Sequence, residues 1–192
     1  MSRTETMRGT AATWMGTELV PSRTARRVIG VVAFAAATAF GARVAVPLPG
    51  TPVPFTLQPL FVLLAGAVLG GPLGAASQLL YLAAGLSGLP VFAAGGGAAY
   101  LLGPTGGYLM AYPAAALLAG TFGRGGKLRA LPGLLLALAA IYAGGLAWLA
   151  VVGNVDAAVA LGLRPFVLAD LVKVLMVVLV MGRIRDRALR LF

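Results

Sequence analysis

Six apolar runs, each near the length that crosses a lipid bilayer, dominate the sequence and limit what it can fold into. Hydrophobic residues make up 60% and charged residues 10% of the 192 residues. Soluble domains carry about 25% charged residues. The sequence therefore predicts an all-α integral membrane protein, with one six-helix bundle over residues 26–183. The predicted transmembrane helices cover residues 27–46, 55–70, 73–88, 104–122, 131–152 and 165–182.

The basic residues indicate how these helices are oriented. All Lys and Arg residues except Arg43, Arg164 and Lys173 lie around the start of the first helix, between the fourth and fifth, or after the sixth. Positive charge accumulates on the cytoplasmic side of membrane proteins. We therefore expect a multi-pass plasma-membrane protein with both termini in the cytoplasm, a polar cytoplasmic arm (residues 1–25) and a basic cytoplasmic tail (residues 184–192). The net charge of +10 then reflects topology and not nucleic-acid binding.

The last apolar run contains two charged side chains, Asp170 and Lys173. Residues three apart share one face of a helix, and charges within a membrane segment usually face a cavity or a partner. A structural ion pair is the alternative, but buried pairs stabilise a fold poorly compared with apolar packing. The spacing thus favours a site that holds a small polar molecule.

Further polar side chains fall towards the outer side of the predicted bundle. Gln58 lies at the outer end of the second helix, Gln78 lies near the middle of the third, and Tyr108 lies about one turn into the fourth. The inner halves of the helices are almost free of polar residues, which predicts a cup open to the outside and not a water-filled pore. Two alternatives stay open: Gln78 could hydrogen-bond between helices, and Tyr108 could pack or anchor the membrane interface.

The connection between the third and fourth helices is rich in glycine: AAGGGAA (93–99) precedes Tyr100. A flexible linker is one interpretation. The flanks of this stretch are apolar, and residues 89–99 contain no Ser, Lys or Glu. Such a composition fits better a segment that folds back over a cavity.

The sequence has neither Cys nor His, and Asp170 is the one acid predicted within the membrane. Thiolates, imidazole and acidic clusters, which provide most nucleophiles, general bases and metal sites, are therefore lacking. We predict no catalytic residue, no metal and no cofactor, and a small membrane enzyme is the less favoured alternative. The sequence also lacks the Gly-rich phosphate loop that ends in Gly-Lys-Ser/Thr, so ATP-driven transport would need another subunit.

The middle of the first helix, AFAAATAFGA (33–42), consists mostly of small residues. Ala35 and Ala39 are four apart, so they stack on one face and let another helix approach closely. Packing inside the bundle and docking of a second membrane protein are equal interpretations of this face.

Four motifs, in this order, resemble the BioY family. They are VPLPGTPVPFTLQPLFVLLAGAVLG (46–70), SQLLYLAAGLSGLPVF (77–92), YLLGPTGGYL (100–109) after the Gly-rich loop, and DLVK (170–173). BioY proteins are the biotin-specific S components of energy-coupling factor (ECF) vitamin transporters. The resemblance implies a six-helix protein that captures biotin from outside. It implies inward transfer together with a transmembrane coupling protein and a pair of ABC-type ATPase subunits.

The same resemblance implies roles for individual residues. Asp170 and Lys173 are expected to bind the vitamin, Ala35 and Ala39 to contact the coupling protein, and the Gly-rich loop to close over the pocket. The end of biotin that meets Asp170 stays open, with the ureido N–H groups preferred. An S component for another small carboxylated vitamin is the alternative function. The expected substrate contacts are Asp170, Lys173, Tyr108, Tyr100, Gln78, Gln58 and Gly97.

Overall fold

The computed structural model describes residues 22–123, 127–153 and 155–191, without the side chains of residues 123, 127–129, 155–157 and 184–191. Most of the arm predicted over residues 1–25 therefore lies outside the described residues. Within the described ranges, the chain forms eight helices and one two-stranded sheet. The elements are α1 (Arg23–Arg43), β1 (Ala45–Val46), β2 (Phe55–Thr56), α2 (Gln58–Leu69), α3 (Gly71–Leu86), α4 (Ala98–Leu101), α5 (Gly106–Gly123), α6 (Lys127–Val152), α7 (Val155–Gly162) and α8 (Val167–Leu191).

α1 ends earlier and α2 begins later than predicted. α1 ends at Arg43 because the next residues form β1, which pairs antiparallel with β2. The proline at position 47 also disfavours a helical conformation for Val46. α2 then begins at Gln58, with Pro59 in its first turn, where a missing N–H is tolerated. The short hairpin is thus a departure from the all-α class.

The structure contains helix in two stretches outside the predicted transmembrane helices. α7 lies between the fifth and sixth predicted helices, and α8 continues beyond residue 182, its predicted end, through the basic tail to Leu191. The sequence after Gly182 contains neither Gly nor Pro, so no residue there breaks the helix. The side chains of residues 184–191 lie outside the described part of the structure.

α8 has its charged residues inside and apolar residues outside. Asp170 and Lys173 are 6% and 3% exposed, whereas Leu168 is 76% and Val172 57% exposed. Soluble proteins show the opposite pattern, and a helix that faces lipid shows this one. In addition, α1 and the Ala130–Val152 part of α6 are each long and apolar enough to cross a membrane.

The backbones of α2, α3 and α5 approach one another closely near the ends of α2 and α5. The contacts involve four glycines, which we call the glycine seam: Gly66, Gly71, Gly74 and Gly120. A Cβ atom at Gly66 would overlap the Ala116 carbonyl oxygen, and one at Gly120 would overlap the backbone nitrogen of Gly71. Small residues allow membrane helices to associate through close van der Waals contact. The glycine seam therefore holds α2, α3 and α5 together at one end of the bundle.

Hydrogen bonds from side chains to distant carbonyl groups hold the other end. The Thr51 hydroxyl donates to the Leu161 oxygen at 2.7 Å, and the Trp148 indole donates to the Gly103 oxygen at 2.8 Å. The Arg43 guanidinium donates to the carbonyl of Pro90. These bonds connect the hairpin, α7 and the α3–α5 connection (residues 87–105) to the long helices, and a pocket opens among them.

Candidate ligand-binding site

The pocket lies between the hairpin, the α3–α5 connection, and helices α2, α5, α6 and α8. Its empty space, counted together with the open mouth, is about 550 Å³. Much of the wall is apolar or aromatic and includes Val53, Phe55, Leu109, Ile141 and Phe166. Such walls suit a ligand with an apolar body.

Asp170 and Lys173 both line this pocket and form an ion pair, with Lys173 Nζ 2.6 Å from Asp170 Oδ1. Asp170 lies in the first turn of α8, where the helix dipole favours a negative charge. The pair therefore brings two buried charges to the pocket without adding net charge to it.

Each member of the pair also has a second partner. The Tyr142 hydroxyl donates to Asp170 Oδ2 at 2.5 Å. The Lys173 ammonium donates to the backbone carbonyl of Thr56 at 2.6 Å and lies 4.1 Å from the centre of the Phe55 ring, a distance that permits a cation–π interaction. The charges are thus compensated before any ligand is bound. Sequence reasoning missed both partners.

Gln58 lines the pocket in a fixed orientation. Its Nε2 donates to the Tyr81 hydroxyl at 2.7 Å, and its Oε1 accepts from the Thr56 hydroxyl at 3.0 Å. The Tyr81 hydroxyl donates in turn to the Val91 carbonyl at 3.2 Å. This network links the hairpin, α2, α3 and the α3–α5 connection, so it fixes the shape of that wall.

Of the aromatic residues predicted for the site, Tyr108 and Tyr100 both line the pocket. The Tyr108 hydroxyl donates to the Gly162 carbonyl at 2.8 Å. The Tyr100 ring stacks on Phe92, with 5.1 Å between ring centres. Both rings therefore reach the pocket as walls with defined orientations.

Gly97 does not line the pocket, although it helps to position a residue that does. It has φ +93°, a conformation that favours glycine, and its N–H donates to the Gly85 carbonyl at 2.7 Å. α4 begins directly after it and carries Tyr100 to the pocket. The Gly-rich loop itself reaches the pocket through Ala93.

Gln78 is another predicted site residue that does not line the pocket. It is completely buried on α3, and its Nε2 donates to the Ser77 hydroxyl at 3.0 Å. Its Oε1 has no hydrogen-bond partner among the described residues. The hydrogen bond of the Gln78 side chain therefore stays within α3, and among the described residues it joins neither the pocket nor another helix.

Ala35 and Ala39, the predicted partner contacts, face the bundle. Ala35 is buried in the hydrophobic core, and Ala39 is partly buried against it. The exposed small residues of this stretch include Ala33 and Ala36. The burial of Ala35 favours packing inside the bundle for that residue, and a contact with the coupling protein stays a prediction.

The polar groups of the pocket suit an organic ligand. Among the residues that the structure describes, no three acidic side chains lie close enough to hold a metal. The pocket instead combines hydrogen-bond donors and acceptors with aromatic faces, an arrangement that binds a small, partly polar molecule.

Similarity to known proteins identifies the family of this chain. The BioY family profile matches residues 10–190. The chain belongs to the BioY family. A probable biotin transporter BioY of Pyrococcus horikoshii is 45% identical over 162 residues, covering 84% of this chain and 97% of the relative. The biotin transporter BioY of Thermotoga maritima is 38% identical over 164 residues, covering 83% and 96%.

A solved structure has the same fold as this BioY member. It is the crystal structure of the S-component for biotin from an ECF-type ABC transporter, with a TM-score of 0.79 and 26% identity over 88% of this chain and 95% of that chain. The resemblance inferred from the four sequence motifs is therefore confirmed. As a member of a transporter family, the chain is a membrane transport protein and not an enzyme.

Proposed function

We propose that the chain is the substrate-binding S component of an ECF transporter, which captures biotin outside the cell and passes it inward. The observation that carries this proposal is the buried, neutral Asp170–Lys173 pair in an otherwise largely apolar and aromatic pocket of a BioY protein. The biotin transporters among the relatives and the solved S-component for biotin support biotin as the ligand.

The chemistry of biotin fits this pocket. Its ureido ring has two N–H donors and one carbonyl, its second ring is a thioether, and its tail is a carboxylate. A carboxylate such as Asp170 accepts N–H bonds, while the Lys173 ammonium has three donors, of which two are used within the chain. Asp170 thus meets the ureido N–H groups, and the third donor of Lys173 serves the ureido oxygen or the tail. The apolar and aromatic walls hold the rings.

The proposal includes a topology. Helices α1, α2, α3, α5, α6 and α8 cross the plasma membrane with both termini in the cytoplasm, and the pocket faces outward. The three groups of basic residues and the exposed apolar side chains of α8 support it. Because the sequence has no Cys, Gly50→Cys should react with an impermeant maleimide on intact cells, and Gly182→Cys only after permeabilisation. The opposite labelling would overturn the orientation.

The coupling protein and the ABC-type ATPase subunits are the proposed partners. They follow from the S-component likeness and from the absence of a phosphate-binding motif in this sequence. Retention of these subunits on the tagged chain after co-expression tests the assembly.

The decisive experiment for ligand and site is a calorimetric titration of biotin into the purified full chain in detergent. Asp170→Asn and Lys173→Ala should weaken binding by at least about 100-fold, because each leaves one buried charge without its partner. Val172→Ala is the matched control, since this side chain lies on the same helix between the two charges and is 57% exposed. Its affinity should equal that of the wild type.

The other outcomes each exclude something specific. Tight binding that survives both charge substitutions would move the site away from Asp170 and Lys173. Failure of the wild type to bind biotin would exclude the ligand. Binding of lipoate instead would then support the second candidate, an S component for another small carboxylated vitamin, which the neutral pair and apolar walls also accommodate.

A further inference from the structure

Four buried tyrosines lie in or beside the pocket, and three of them donate their hydroxyl proton within the protein. The acceptors are backbone carbonyls for Tyr81 and Tyr108 and a carboxylate for Tyr142. Tyr112 differs: it lines the pocket and is only 3% exposed. Its hydroxyl donates no hydrogen bond to any residue that the structure describes. The pocket therefore contains one buried donor that the described part of the chain leaves unused.

The Tyr112 hydroxyl oxygen is not among the fully enclosed polar atoms that lack a partner in the described residues, so it opens onto the pocket that the residue lines. Tyr112 follows Tyr108 by one turn on the same face of α5, so its hydroxyl is available to a molecule that enters between these helices. Because Tyr112 borders the pocket, a ligand atom can become its acceptor. The structure thus provides a reason for a tyrosine here where a phenylalanine would pack equally well.

We infer that the Tyr112 hydroxyl donates a hydrogen bond to the carbonyl oxygen in the ring of the ligand. This inference rests on the proposed function. Biotin has three kinds of acceptor: the ureido carbonyl, the carboxylate and the thioether. One neutral donor compensates a buried carboxylate poorly, and a thioether is a weak acceptor. The neutral ring carbonyl is the acceptor that a single hydroxyl satisfies, so Tyr112 is a specificity-determining residue for the ring.

The test combines binding and stability of Tyr112→Phe, measured on the full chain in detergent. We expect biotin to bind roughly 5- to 100-fold more weakly, because the ring carbonyl loses its donor on binding. Without ligand, the unfolding temperature should stay nearly unchanged, since the hydroxyl that the substitution removes bonds no described residue and opens onto the pocket. Tyr81→Phe is the matched comparison: its hydroxyl is bonded on both sides and lies outside the pocket, so this variant should unfold at a lower temperature.

A second ligand identifies the acceptor. In 2-iminobiotin, a guanidino group that is protonated at neutral pH replaces the ring carbonyl, so the ring loses its acceptor. The wild type should prefer biotin, and Tyr112→Phe should lose much of that preference. An undiminished preference in Tyr112→Phe would overturn the assignment of the ring carbonyl.

Two results would overturn the inference while leaving the proposed function intact. One is biotin binding to Tyr112→Phe as tight as to the wild type. The other is destabilisation of unliganded Tyr112→Phe to the extent seen for Tyr81→Phe, which would show that the hydroxyl already has a partner in the protein. Failure of the wild type to bind biotin would instead overturn the proposed function, and the inference with it.

Discussion

The two ends of the bundle are built in opposite ways. At the glycine seam, backbones touch because side chains are absent: Gly66, Gly74 and Gly120 leave no room for a Cβ atom. At the pocket, large side chains hold the helices apart, and the space between them contains a buried ion pair and its partners. One end is closely packed through glycine backbones, and the other contains a largely apolar pocket with two buried charges.

This difference indicates which end provides stability and which provides function. Close apolar contact stabilises membrane helices directly. Buried charges contribute little net stability, because desolvation offsets their attraction. The pocket is therefore the part of the molecule where the sequence departs from what stability alone would select, as is common at functional sites.

Removing one charge of the pair should have the largest effect on the folded protein. We expect Lys173→Met to lower the free energy of unfolding by about 3–5 kcal/mol, since Asp170 would keep a buried charge without its cation. The double variant Asp170→Leu/Lys173→Met should recover most of this loss, because replacing a whole buried pair by apolar residues is often neutral. Neither variant should bind biotin.

Unfolding of both variants in detergent and a biotin titration on each provide the measurement. If the double variant were as unstable as Lys173→Met, the pair would be a structural requirement of the fold. The contrast between the two ends of the bundle would then be wrong.

A smaller effect, on stability alone, is expected at the glycine seam. Gly66→Val should lower the free energy of unfolding by about 1–3 kcal/mol, because the added side chain overpacks α2 against α5. Ala36→Val, on the exposed face of α1, adds a similar volume without a clash and serves as the control. Thermal unfolding tests the loss, and the folded fraction of Gly66→Val should keep the biotin affinity of the wild type. A loss of affinity without a loss of stability would reverse the roles of the two ends.

Much of this fold could be predicted from hydrophobic runs, because long apolar runs favour helices. In the described part of the chain, six long helices occur where the runs predicted them, with ends that differ by a few residues, except that α8 runs on to Leu191. The hairpin could not be predicted in this way, because Ala45–Val46 becomes a strand only through pairing with Phe55–Thr56. α7 was missed because prediction from apolar runs favoured a loop between two crossings.

The lining of the candidate pocket was predictable where the sequence places a charge in an apolar run, as with Asp170 and Lys173. It was not predictable where contacts depend on how helices rotate. Gln78 faces Ser77 and not the pocket, although its place in the third helix made both directions possible. Tyr142 and the Thr56 carbonyl could not be found from spacing, because one lies on another helix and the other belongs to the backbone.

The bond from Lys173 to the Thr56 carbonyl joins residues that are 117 positions apart. Chains grow from the N-terminus, and domains form as their segments are made. The hairpin is therefore synthesised long before α8, and the bond between Thr56 and Lys173 forms only once the last helix has been made. In the proposed site, a chain interrupted before α8 would consequently lack both charges of the pocket.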